Sequence, residues 1–107
     1  MSGLDNTSYT VTTVAGTTYT ATANDYVVVL TNSATKTVTL PAVALTQPGR
    51  VYQFICTNTG VATLDGNGAE LINGAATFGM VAGTVGGSTG RCSIVSDGTQ
   101  WFTLNSQ

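Results

Sequence analysis

Apolar and polar side chains alternate with a period of two along almost the whole chain. The alternating stretches are rich in threonine, valine and aromatic residues, which is the pattern of half-buried strands. No amphipathic helix of useful length interrupts them. Strands are predicted at 9–12 and 18–22 with a turn at Ala15-Gly16 between them, each placing threonine on one face and an aliphatic or aromatic residue on the other. Residues 26–30 are more continuously apolar, which predicts a core strand covered on both faces. Residues 36–40 return to alternation, with Val38 and Leu40 expected on one side, the polar residues on the other, and Pro41 ending the strand.

The segment 42–50 reads as a connection with room for one turn of 3₁₀-helix, closed by the Pro48-Gly49 turn. A strand over 50–57 follows, with Tyr52, Phe54 and Cys56 on one face and Val51 and Ile55 on the other. Asn58-Thr59-Gly60 ends it. Short strands at 61–64, 70–72 and about 80–82 are separated by the turn 65–68 and by Asn73-Gly74, a pair suited to a type I′ turn because both positions need positive φ. Gly83 to Gly90 reads as a mobile tip, and 92–96 with 100–104 form a hairpin about Asp97-Gly98. About nine or ten short strands with turn signals roughly every 8–12 residues predict an all-β, antiparallel sandwich or jelly-roll-like module.

The length, 107 residues, fits one domain, here 8–107 behind an N-terminal arm at 1–7. Charge changes the picture more: 7% of residues are charged, against about 25% in an ordinary soluble domain. Thr is about a fifth of the chain. The surface is thus mostly neutral and hydroxyl-bearing, and a net charge of −2 gives little mutual repulsion. Much of that surface is expected to be covered by other subunits.

Lys36, Arg50 and Arg91 are the only cations, too few for the roughly 6–10 phosphates a nucleic-acid binder neutralises. The longest apolar run, 26–30, is far short of the ~20 residues that span a bilayer. The start of the chain lacks the basic and apolar stretches of a secretory signal, so assembly in a cytoplasm is expected. Cys56 and Cys92 lack the CxxC spacing of a zinc or redox site and read as buried thiols on strands.

The chain has no histidine, so the commonest general base, the Ser-His-Asp arrangement and the commonest metal ligand are missing together. Asp65 and Glu70 could flank a glycosidic bond or hold a cation, but both lie in a glycine-rich segment where short acids serve turns. No enzyme, cofactor or metal is expected. The candidates for ligand or partner contact are Trp101, Asp97, Gln100 and Asn67: an aromatic ring beside amides and a carboxylate suits a sugar, although a tryptophan at such a place more commonly sits in the core or a subunit interface.

The order of landmarks resembles a β-module of tail fibre and tailspike proteins of tailed bacteriophages. The residues that carry the resemblance are the strand 26–30, Leu40-Pro41, the run from Pro48 to Ile55, Asn58-Thr59-Gly60, Leu64 to Gly68, Ile72-Asn73-Gly74 and Val95 to Trp101, spread over about residues 8–104. The resemblance implies a homotrimeric, mostly β appendage on the virion surface with no catalytic residues of its own. Its expected partners are further copies of itself and phage capsid or tail proteins. The expected role is capsid decoration (cement) or a short fibre, and the competing role is an adhesin for host surface glycan.

Overall fold

The computed structural model describes residues 10–80 and 90–106. The N-terminal arm, most of the glycine-rich tip and Val81-Ala82 lie outside them. Among the described residues nine strands make up two facing sheets. The first holds β1 (Val11–Val14), β3 (Val27–Leu30), β5 (Val51–Cys56), β8 (Gly90–Ser96) and β9 (Trp101–Ser106) in that order. The second holds β2 (Thr18–Thr20), β4 (Lys36–Thr39), β6 (Ala62–Asp65) and β7 (Thr77–Met80). The all-β, two-sheet expectation holds, and so does the single 3₁₀ turn, at Val43–Leu45.

Pairing direction corrects the antiparallel expectation. Consecutive strands from β1 to β6 alternate between the sheets, so β1, β3 and β5 run parallel in one and β2, β4 and β6 run parallel in the other. The first two-thirds of the chain is therefore three stacked β-arches. Only the β6–β7, β5–β8 and β8–β9 pairs are antiparallel, and they close the stack. A period-two pattern fixes which residues face inward but carries no information on strand direction.

The register stacks like on like. Val14, Leu30 and Cys56 lie side by side, as do Val28, Phe54 and Cys92, and all are buried. From the second sheet Val38, Leu64 and Ala62 meet them across the core, with Tyr19 and Phe78 at its margin. Burying such side chains contributes about 1.5–3 kcal/mol each. Cys56 and Cys92 are buried and outside any disulfide.

The two outer faces differ in chemistry. The second sheet presents Thr18, Thr37 and Thr63 in one row and Thr20, Thr39, Asp65 and Thr77 in the next, a hydrated and nearly uncharged grid. The first sheet turns outward Val11, Val27, Val29, Val51, Ile55, Val95 and Phe102.

Candidate functional site

At one end of the stack the loop between β2 and β3 folds around Asp25, only 5% exposed. Its carboxylate accepts hydrogen bonds from Thr12 Oγ1 (2.7 Å), Tyr19 OH (2.7 Å), Thr22 N (2.9 Å) and Thr22 Oγ1 (3.3 Å). Arg50 covers the outside, donating to the carbonyls of Ala23 (2.9 Å), Asp25 and Val51 (3.2 Å), and its guanidinium stacks 4.1 Å above the Tyr52 ring. Tyr52 OH in turn donates to Thr22 O at 2.9 Å. These bonds join β1, β2, the 22–25 loop and the start of β5, so the cluster fastens the first arch to those that follow.

Burial pushes the Asp25 carboxyl up, but the bonds from Tyr19, Thr22 and Thr12 outweigh it and hold the group below its ordinary value of 3.8. Burial, then the hydrogen bond to Asp25 and its charge, push Tyr19 up to about 12. Burial likewise raises Tyr52, against the pull of Arg50. A depressed acid contributes stability that is present above 3.8 and lost as pH falls through its folded value. A raised phenol contributes stability that is present below pH 10 and lost as pH rises through about 12. The melting temperature is therefore expected to fall at both extremes, with phenolate absorbance and unfolding rising together on the alkaline side. In Tyr19→Phe the acid limb should move toward pH 3.8, and an unmoved limb would remove Tyr19 from this account.

At the opposite corners sits Lys36, 1% exposed. The alternation that puts Val38 and Leu40 inside puts Lys36 there too, which corrects the expectation that the polar residues of 36–40 face outward. Its ammonium donates to the carbonyls of Asn32 (2.6 Å), Ala34 (3.0 Å), Gly60 (3.1 Å) and Thr59 (3.2 Å). Two stacked corners are thereby held by one cation.

The residues expected to contact a ligand fall in different places. Trp101 is fully buried, with its ring edge-on to Tyr52 at 5.6 Å, so of its two readings the core position holds and the contact platform is corrected. The backbone explains this: Trp101 N donates to Leu71 O and Asn73 N donates to Trp101 O, both at 2.9 Å, so the 71–73 segment lies along β9. Asp97 and Gln100 share the exposed β8–β9 turn, where Asp97 Oδ1 accepts from Thr99 N (2.8 Å) and Gln100 N (2.9 Å). Those amides, Gln100 first, hold the Asp97 carboxyl low and commit it to the turn. Asn67 belongs to a separate turn, where its carbonyl accepts from Glu70 N. Glu70 Oε1 accepts from Val43 N at 3.0 Å, anchoring the 3₁₀ turn, and Asp65 lies on the threonine face. Among the described residues no three His, Cys, Asp or Glu side chains converge.

A concavity that the sequence reading did not single out lies on the outer face of the first sheet. It has a volume of about 300 Å³ and is lined by Gln53, Ile55, Arg91, Ser93 and Asn105, with Phe54 and Cys92 beneath. Gln53, Ser93 and Asn105 stand in one row across β5, β8 and β9, and Ile55 pairs with Arg91 beside them. Alternation alone could place Gln53, Ile55, Arg91 and Ser93 on that face. Asn105 could not be placed, because the register shifts between Ser93 and Ile94. Set against protein-family models, curated proteins and solved structures, the chain finds no match in any of the three.

Proposed function

We propose that the chain is a non-enzymatic structural module of a tailed-phage virion surface, associating with itself as a homotrimer and decorating a capsid or forming a short fibre. One observation supports self-association above the rest: the first sheet leaves apolar side chains outward at the start of the stack, where Val11 is 68% exposed and Val27 and Val29 lie beside it. β1 is also an edge strand, with no strand pairing its outer side among the described residues. An open edge next to an apolar face is a template for association that a solitary molecule has reason to blunt with charge. No charged residue stands on β1 or β3. The opposite face, a grid of threonines, is suited to water.

The trimer and the virion rest on the resemblance in strand and turn order. Sedimentation is expected to give a species three times the 10.9 kDa chain mass, and the double variant Val11→Asp, Val29→Asp is expected to sediment as a monomer with an unchanged β-sheet spectrum. A wild-type chain that stays at 10.9 kDa at high concentration would defeat the self-association reading. Binding to stripped phage capsids but not to host cells is the expected result for a decoration protein, and binding to cells alone would move the assignment to an adhesin.

A further inference from the structure

We propose that the concavity on the outer face of the first sheet binds a carboxylate-bearing sugar, the uronic acid unit of an acidic polysaccharide, with Arg91 holding the carboxylate. Of the three cations, Lys36 is committed to four backbone carbonyls and Arg50 to three carbonyls and a tyrosine ring. Arg91 is exposed, and its guanidinium has no hydrogen-bond or ion-pair partner among the described residues. On the rim of a cavity, a guanidinium with no partner among the described residues offers a planar fork matched to a carboxylate, which it binds with two parallel charge-assisted hydrogen bonds.

The rest of the lining suits a sugar ring more than a bare anion. Gln53 Nε2 donates to Tyr26 OH at 2.8 Å, which fixes the amide and leaves its carbonyl oxygen to accept from a ligand hydroxyl. The Ser93 hydroxyl and the exposed Asn105 amide continue the row. Adjacent strands lie about 4.8 Å apart, so this row extends over roughly 10 Å, and the ~300 Å³ volume is at the small end of ligand sites. Ile55 supplies an apolar floor beside Arg91 for the carbon face of the ring.

A second observation points to the same place. The register between β8 and β9 shifts so that Thr103 stands opposite Ile94 while Asn105 stands opposite Ser93, leaving Leu104 as the extra residue. Without that bulge the position opposite Ser93 would go to leucine. Bulges re-aim side chains at functional sites, and this one substitutes an amide for an alkyl group in the row. One cation at the cavity, in a chain of net charge −2, also disfavours densely charged phosphate polymers and favours a ligand with one carboxylate per sugar.

This site goes beyond the structural role; its polar residues, Gln53, Arg91, Ser93 and Asn105, stand on β5, β8 and β9, beside the proposed self-contact on β1 and β3 and not part of it. The test is titration of trigalacturonic acid into the ¹⁵N-labelled full chain, with sedimentation run on the same samples. Shifts are expected to concentrate on residues 53–55, 91–93 and 105. Arg91→Gln is expected to weaken binding roughly tenfold or more, Arg91→Lys less, and the methyl ester of the same trisaccharide should bind as poorly as Arg91→Gln binds the acid. Equal binding of the ester, equal binding of inorganic phosphate, unchanged affinity in Arg91→Gln, or no shifts at millimolar acid would each overturn the site, whatever the sedimentation shows.

Discussion

Trp101→Ala is expected to lower the free energy of unfolding by about 3–5 kcal/mol, the largest loss from any single truncation in this core. Trp101 is among the largest fully buried side chains, packed edge-on against Tyr52, which itself stacks on Phe54 at 6.4 Å and carries Arg50 on its outside. Removing the indole leaves a cavity against the Tyr52 ring, and the neighbouring 71–73 segment is hydrogen-bonded to the Trp101 backbone and cannot collapse inward without breaking those bonds. Trp101→Phe is expected to cost under about 1.5 kcal/mol. It keeps an edge-on ring and deletes the indole N–H, which is buried without a hydrogen-bond partner among the described residues, and a buried unpaired donor costs about 1–3 kcal/mol. Urea denaturation followed by circular dichroism reads both variants. A Trp101→Ala protein as stable as the parent would mean that the ring is not part of the core.

Strand positions were legible because turn chemistry and alternation are local. The stretches 26–30, 50–57, 92–96 and 100–104 fall on β3, β5, β8 and β9. Asn73-Gly74 adopts the two positive φ angles its turn requires, 53° and 85°. The β8–β9 hairpin turns at Asp97-Gly98 as expected, with Gly98 at 93°. Direction was not legible, because parallel pairing joins residues far apart in sequence. A signal was nevertheless present. Thr31-Asn32 and Thr57-Asn58 follow the paired residues Leu30 and Cys56, so one dipeptide recurs at stacked corners. Asn32 reaches back to Ala15 O at 2.8 Å and Asn58 to Thr31 O at 3.4 Å, each tying its corner to the preceding arch. The cavity on the first sheet was half legible: alternation puts Gln53, Ile55 and Arg91 outward, but the bulge that delivers Asn105 depends on tertiary register. For Trp101 the sequence left a core ring and a contact platform both open, and the pairing of 71–73 with β9 shows why it turns inward.

Lys36→Met is expected to cost roughly 2–4 kcal/mol and to loosen two arches at once. The methionine stem matches the lysine stem in length and belongs on an inner face beside Val38 and Leu40, so the apolar packing of β4 survives. What disappears is the donor that joins the carbonyls of Asn32 and Ala34 to those of Thr59 and Gly60 in the next arch. Replacing both sides of a buried polar contact with apolar groups can be neutral, but here the four acceptors are backbone carbonyls and remain. Lys36→Ala should cost more, since it adds a cavity to the same loss. The corners have little room to rearrange. Gly60 sits at φ +92°, and a Cβ there would come within 2.5 Å of the Ser33 and Ala34 oxygens, so Gly60→Ala should destabilise the same junction. Amide exchange discriminates this from a general loss of stability: in Lys36→Met, residues 32–37 and 57–63 should exchange faster while the β8–β9 hairpin keeps more of its protection. Uniform acceleration across both sheets, or a melting temperature equal to the parent's, would show that the ammonium is not what joins the corners.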